Sequence, residues 1–578
     1  MFEDPPRFDR ERAETMAREL FGCAGTASEL PSERDQNFLI AVDGEPRLVL
    51  KIANASEDRA FLAAEQRAMQ HVAQRSRHTP RVEVLRDGAT MGQVTGPDGR
   101  EHLVWAVSAL PGVPMAAVSH RSDELLERFG AAIAELTRAF DGFDDPALHR
   151  DFHWDLARGR DVIARHRALI DDRELGAAID VLIGRFDEHA ARELPALPRS
   201  VIHGDLNDHN VLVGGGVDLF DRRQHVAGFV DFGDMVHGLT VGELAIAAAY
   251  AMLDAADPRS VMWHMVRGYQ RVRALSPHEM RALFGLAALR LCTSACLAAD
   301  QQRRHPDNAY LGVSQAALRR TLPRLARIPF GVAAATVRSA HGLEPVETCA
   351  AVRAWLAART ASFAPVLGID LQVQPCLVLD LGVGSPLVSG DARANAEPEF
   401  TERVFGSMRC AGVRVAVGRY DEPRLLYVTP AFAAGDGTLD EHRTIHLGLD
   451  LFAAAGTPVH APLDGEVVAA DEHQVRLDYG GVIVLRHRTD DGVEFFTLYG
   501  HLSRASFGDL RVGQRVARGQ RIARLGAPTE NGGWTPHLHL QIICDFLGLG
   551  SDFPGVSTPG RRDVWLSVSP DPNLLVGI

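Results

Sequence analysis

Apolar residues recur along this chain with two different periods, and the change of period divides it. RLVLKIA (47–53) alternates and predicts a strand that places Lys51 on the same face as Val49. SEDRAFLAAEQRAMQHV (56–72) has helical spacing, with Ser56 as its expected N-cap, Phe61, Met69 and Val72 on its apolar stripe, and Glu65 inside that stripe. A carboxylate on a core-facing stripe needs a partner, because a stranded buried charge costs about 3–5 kcal/mol. Lys51 is the nearest candidate. After Pro329 the helical rhythm fades. A short helix (VETCAAVRAWLAARTAS) leads into β-rich text (CLVLDLGVGSP, VRVAVGRY, RLLYVTPAF), with SGDARANAEPEF reading as an exposed polar connection. Near the end, TIHLGLDLF (444–452) alternates from Ile445 onward, with leucines on one face and His446, Gly448 and Asp450 on the other.

Composition narrows the class. A chain of 578 residues is too long for one core, and roughly three or four units are expected at ~150 residues each. With 46% hydrophobic and 24% charged residues it has the balance of a soluble globular protein. A net charge of -14 argues against a nucleic-acid surface and mildly favours a cationic small-molecule substrate. The longest apolar run, LAIAAAYAML (244–253), is shorter than the ~20 residues of a membrane span, and the N-terminus lacks a signal-like apolar stretch. The seven cysteines contain no CxxC, and Cys292 and Cys296 share a helix face as buried thiols. The expectation is a reducing, cytoplasmic protein without membrane or nucleic-acid partners.

The chemistry concentrates first in VIHGDLNDHNVLV (201–213). Asp205 and Asn210 stand five apart, the spacing of a kinase catalytic loop, and VAGFVDFGDM (226–235) is an apolar strand ending in Asp231-Phe-Gly. Transfer from a triphosphate needs phosphate-binding cations, oxygen ligands for Mg2+ and a carboxylate to orient the attacking hydroxyl. In this pattern Asp205 is the catalytic base, Asn210 and Asp231 hold Mg2+, and Lys51 with Glu65 holds the ATP phosphates. The loop SERDQNF has no glycine; Ser32 and Asn37 are its candidate phosphate contacts, a plain turn being the other reading. His203 is read as structural, buried against the Asp231 segment. Asn207, Asp208 and His209 are read as loop-holding residues; Asp234 and Glu243 are read as a solvated helix start, contact with a substrate ammonium being the other reading. HRDFHWDLARG (149–159) is a lesser candidate for lining an acceptor pocket.

These motifs resemble the aminoglycoside phosphotransferase and choline kinase superfamily, in which H-G-D replaces H-R-D. LPSERDQNFLI (30–40), VSALPGVPM (107–115) and DNAYLGVSQ (307–315) resemble its hydroxylysine-kinase-type branch. The resemblance spans roughly residues 10–330. It implies phosphorylation of a hydroxyl on an amine-bearing small molecule.

A second cluster lies in the alternating C-terminal text. In a straight strand His446 and Asp450 would be ~13 Å apart, too far to share an ion, and Gly448 permits a bend between them. WTPHLHLQII puts His537 and His539 on one strand face, and TLYGHLS adds His501. This text, with GTPVHAPLDGEV and LRVGQRVARGQRIARLG, resembles the lysostaphin-type zinc endopeptidases over roughly residues 440–545. By that resemblance His446, Asp450 and His539 would ligate Zn2+, leaving a fourth position open, and His501 and His537 would be catalytic.

The expected architecture is multidomain α+β: a bilobal protein-kinase-like fold followed by a β-rich lysostaphin-type peptidase domain. Its expected parts are an N-lobe (1–106), a C-lobe (107–328), a connecting helix and β-rich segment (329–435) and the peptidase-like domain (436–578). The order resembles the front of bacterial fusions with a class III aminotransferase, which is absent here, so a separate partner of that fold is an expectation. The leading reading is an ATP- and Mg2+-dependent O-kinase fused to a zinc hydrolase acting on a peptide or amide. The alternatives are a non-catalytic zinc scaffold, or a peptidase regulated by a nucleotide-binding kinase-like domain.

Overall fold

The structure is a computed structural model and describes residues 6–32, 34–97, 99–216, 223–304, 315–395, 397–434, 441–508 and 510–578. Most of the DNAYLGVSQ motif and the expected boundary at 435/436 lie outside these residues. The chain forms two compact units, Met1–His341 and Gly342–Ile578.

The first unit opens with helix α1 (Arg10–Phe21), capped by the Asp9 carboxylate on the Arg12 N–H at 2.8 Å. An antiparallel sheet follows in the order β1-β2-β3-β5-β4, with β1 at Thr26–Leu30, β2 at Gln36–Val42, β3 at Glu45–Ile52, β4 at Gly92–Thr95 and β5 at Glu101–Ser108. Its faces alternate as strand geometry requires. Phe38, Ile40, Leu48, Leu50 and Ile52 pack with Ala13 and Met16 of α1. The opposite face carries Lys51, which pairs across the sheet with Asn37 on β2 and Trp105 on β5. Trp105 clusters with Phe61, Met69 and Val72 of helix α2 (Arg59–Ala73). That helix is capped by Asp58, not by the expected Ser56, whose hydroxyl bonds Asn54 Oδ1 instead at 2.9 Å.

Beyond residue 113 the unit is mainly helical. Gly130 and Gly268 let the helices Asp123–Ala139 and Pro258–Tyr269 touch backbone to backbone; a Cβ at either would lie 1.9 or 1.8 Å from a facing carbonyl oxygen. The helix Pro277–Arg304 is long and apolar enough to cross a membrane, but 78% of its most apolar window is buried inside the unit. Two small ladders set the functional loops. Arg199–Ile202 pairs with Val236–Leu239, and Val211–Gly214 pairs with His225–Phe229. Ile202 therefore faces Val236 and Val211 faces Phe229, which brings loops 203–210 and 230–235 side by side.

The second unit is built on an eight-stranded mixed sheet. Its order is Leu377–Leu379, Ala416–Gly418, Leu449–Phe452, His537–Ile543, Glu494–Leu502, Gly480–Arg488, Gly465–His473 and Arg515–Val516. Three readings of the preceding segment change. RLLYVTPAF forms two single turns, Leu425–Tyr427 and Pro430–Phe432, in place of a strand. The polar connection runs into a helix, Glu399–Ala411. Two strands of this segment join the same sheet as the metal motifs. TIHLGLDLF is not one strand either: Ile445–His446 and Leu449–Phe452 belong to different ladders, separated by a bend at Gly448.

Two candidate active sites

In the first unit Lys51 Nζ lies 3.3 Å from Asp231 Oδ1 and 4.0 Å from Glu65 Oε1, with the Trp105 ring centroid 5.0 Å away. Burial works against the Lys51 charge, but Asp231, Glu65 and Asp35 outweigh it and hold the ammonium above its usual pKa. The Lys51 charge in turn keeps Asp231 below the ordinary carboxylate range, whereas burial pushes Glu65 up to about 7. Asp231 adopts φ 62°, a left-handed conformation uncommon outside glycine, and its side chain is 58% exposed. Asn37, directly across from Lys51, has a buried Oδ1 with no partner among the described residues. Ser32 is exposed in the β1–β2 connection.

Asp205 is held on both oxygens. Oδ1 accepts from Arg290 Nη2 at 2.6 Å, and Oδ2 accepts from the amides of Asn207 and Asn210 at 2.8 Å each. Burial raises its pKa against the pull of Arg290. Asn210 spends Nδ2 on Asp205, which leaves Oδ1, the atom a hard cation takes, for another partner. Its backbone carbonyl accepts from the Val230 N–H at 2.9 Å, tying it to the residue before Asp231. An amide oxygen and an ionised carboxylate meeting beside a lysine fit a Mg2+–nucleotide site. His203, fully buried, packs its ring at a tilt against Phe232, donates from Nε2 to Val230 O and accepts the Asp205 N–H at Nδ1. Burial holds it down at about 4, so it is a neutral splint between the two loops, as its sequence position suggested.

Four participants were missed or misread in the sequence. Arg290 is 1% exposed and sits between the rings of Trp154 and Tyr250 at 4.2 and 5.6 Å. It is a lone charge in the apolar run LFGLAALRLCTSACLAA, the same signal that singled out Glu65. Asp234 is no solvated helix start: it pairs with Arg34 at 2.5 Å. Glu243 is fully buried, and its Oε2 accepts the His203 N–H at 2.6 Å. Arg150 bonds the carbonyls of Gly233 and Met235 from between Phe61 and Phe152, so HRDFHWD clamps the Asp231 loop.

In the second unit the donor atoms of His446, Asp450 and His539 form a nearly equilateral triangle. His446 Nε2 to His539 Nδ1 is 3.1 Å, and Asp450 Oδ1 is 3.2 Å from each. Tetrahedral Zn2+ with bonds of about 2.0–2.1 Å sets its ligands about 3.3 Å apart, so the triangle has the right size. The outer atoms fix which lone pairs face inward. His446 Nδ1 donates to Arg419 O at 3.0 Å, and His539 Nε2 donates to Gln541 Oε1 at 3.0 Å. Gln541 is oriented by Pro554 O and Ser569 Oγ. Burial, with the Arg424 charge, holds His446 down at about 4. Two imidazole nitrogens and a carboxylate oxygen turned toward one another at this spacing fit zinc. Gly448 matters through space more than flexibility, since a Cβ there would meet the His539 ring at 2.4 Å.

His501 and His537 donate from Nδ1 to Asn531 O and Thr535 O at 2.9 and 2.6 Å, and their rings lie 4.3 Å apart. Burial lowers both pKa values, leaving neutral imidazoles whose Nε2 edges accept protons. Behind the triangle Arg424 is 1% exposed. It donates to Asp450 Oδ2 at 2.6 Å, Glu422 Oε2 at 2.9 Å and the Tyr427 hydroxyl oxygen at 3.2 Å. Sequence reading found no chemistry in this stretch; Arg424 supplies it.

The first unit is therefore a kinase-like phosphotransfer fold, and the second a β-rich fold carrying a metallopeptidase-type donor set. Comparison with known proteins agrees. Residues 26–280 match the APH phosphotransferase enzyme family, and residues 444–545 match peptidase family M23. Hydroxylysine kinase of Bos taurus is 29% identical over 321 residues, covering 52% of this chain and 85% of the relative. Homoserine kinase of Rhizobium etli (strain CIAT 652) is 28% identical over 251 residues, covering 43% and 72%. An uncharacterized metalloprotease of Haemophilus influenzae is 38% identical over 100 residues, covering 17% and 18%. The chain joins a phosphotransferase-family kinase domain to an M23 peptidase domain.

Proposed function

We propose that the first unit transfers the γ-phosphoryl group of ATP to the hydroxyl of a small hydroxylated amine or amino acid, and that the second hydrolyses a peptide or amide bond. The observation that carries the kinase reading is the meeting of Lys51, Asp205, Asn210 and Asp231 on two loops and one strand. Lys51, braced by Glu65, neutralises phosphate charge. Asn210 and Asp231 would hold Mg2+, which would supply positive charge against the phosphates. Asp205 orients the acceptor hydroxyl and takes its proton; Arg290 and the two amides fix the carboxylate for that task. The acceptor class draws support from relatives named for hydroxylysine and homoserine, both alcohols that carry an amine. Use of ATP supports a cytoplasmic setting for this reading.

In the second unit His446, Asp450 and His539 would hold Zn2+, which supplies Lewis-acid polarisation of the scissile carbonyl. His501 and His537 accept and return the proton that moves from the attacking nucleophile to the leaving amine. The test is ADP release over a panel of hydroxylated amines and amino acids, hydroxylysine and homoserine included. Turnover with at least one, lost in Asp205→Asn, supports the kinase reading; unchanged turnover in that variant removes it.

A further inference from the structure

The M23 family match begins at residue 444, yet one wall of the metal cleft is built from residues before it. Phe400, Arg424, Tyr427, Phe432 and Arg443 all line the cleft and all precede that boundary. Tyr427 and Phe432 pack ring to ring at 4.9 Å, and Trp534 lies 6.2 and 6.4 Å from them. The aromatic wall reaches the donor residues, with Tyr427 stacked 6.4 Å from His446 and Trp534 5.9 Å from His501. With this wall in place the cleft has a volume of about 230 Å³, below the roughly 300–1,000 Å³ of drug-sized sites.

Charges of both signs face it. Arg443 lies over the Phe432 ring and gives Nη2 to Ala431 O at 2.8 Å, while its buried Nε has no partner among the described residues. Arg476 is an exposed second guanidinium on the lining. Two carboxylates oppose them. Asp478 is engaged by the Tyr479 N–H at 2.7 Å and by His473 at 3.2 Å, and Asp552 is exposed at its edge. A small space with an apolar wall, two cations besides the carboxylate-paired Arg424, and an exposed anion is complementary to a zwitterion.

We propose that this cavity takes a dipeptide-sized amide with a free carboxylate and a free ammonium. Arg443 and Arg476 receive the carboxylate, Asp552 the ammonium, and the rings of Tyr427, Phe432 and Trp534 a side chain between them. Water adds across the C–N bond: hydroxyl goes to the carbonyl carbon and a proton to the leaving nitrogen, releasing two amino acids. The proposal rests on the hydrolase reading above. Its products belong to the amine-bearing class from which the kinase unit would draw its acceptor.

The test uses the full chain. Loaded with zinc, it should hydrolyse free dipeptides at least about tenfold better in kcat/KM than their N-acetylated or C-amidated forms, or than longer peptides. Arg443→Met should lose a similar factor on free dipeptides and no longer respond to amidation; Arg476→Ala, at an exposed position, is the second variant should the first fail to fold. Calorimetry on zinc-free protein should show dipeptide binding that weakens in both variants. Equal cleavage of blocked and long peptides overturns the proposal and leaves the hydrolase reading standing. So does binding indifferent to both arginines. Arginine-dependent binding with no hydrolysis of any amide supports the cavity assignment and removes the hydrolase reading.

Discussion

The two sites handle concentrated charge in opposite ways. In residues 1–341 four acidic groups of the site meet cations of the chain itself: Lys51 lies between Glu65 and Asp231, Arg34 on Asp234, Arg290 on Asp205. In residues 342–578 three acceptors turn toward one another, and the nearest arginine reaches only the outer oxygen of Asp450. The first constellation is electrostatically closed before any ligand arrives. The second would be closed by a metal. A kinase must admit and release a charged nucleotide each cycle, whereas a hydrolytic metal stays, so the difference follows the chemistry.

That contrast can be broken by experiment. The largest effect should come from Asp205→Asn, which leaves Arg290 facing an amide and should lower kcat for phosphoryl transfer by about 10²–10⁴. Next, stripping zinc should lower the unfolding transition of residues 342–578, by about 4 kcal/mol relative to protein at roughly a thousandfold excess of metal over Kd. It should leave the transition of residues 1–341 in place. Calorimetry with and without chelator decides; a common shift would mean the first unit also depends on metal.

The third effect is on pH dependence. Burial raises Glu243 from 4.5 to about 7, so the folded protein binds this proton more tightly than the unfolded chain. Its contribution is therefore full below pH 4.5 and is lost as pH rises through about 7. Glu243→Gln should remove up to about 3 kcal/mol of that pH dependence, read from urea unfolding of the first unit across the range. The smallest effect belongs to Arg424→Met, which should weaken zinc affinity by about 10–100-fold in a chelator competition while the kinase is untouched.

What the sequence made legible was local. Asp205, Asn210 and Asp231 lie in motifs whose spacing is itself the chemistry, and His537 and His539 share a strand face by simple alternation. Glu65 was readable because a charge on an apolar stripe demands a partner. Arg290 carried the same mark in its helix and was passed over because its partner lies 85 positions away. Asp234 and Glu243 look identical to solvated acids until burial is known. Arg424 was hidden more deeply: its segment reads as β text, and only the two turns at Leu425–Tyr427 and Pro430–Phe432 aim it inward.

The sheet order carries a practical consequence for anyone trimming this protein. A fragment cut at the family boundaries, 444–545, would discard the strands Leu377–Leu379 and Ala416–Gly418. It would also discard Val556–Ser557, which pairs with Ile445–His446. Leu449–Phe452, now internal, would become a bare edge open to pairing with other molecules. Such a fragment should self-associate on expression, whereas one begun at Gly342 keeps its hydrophobic edge covered.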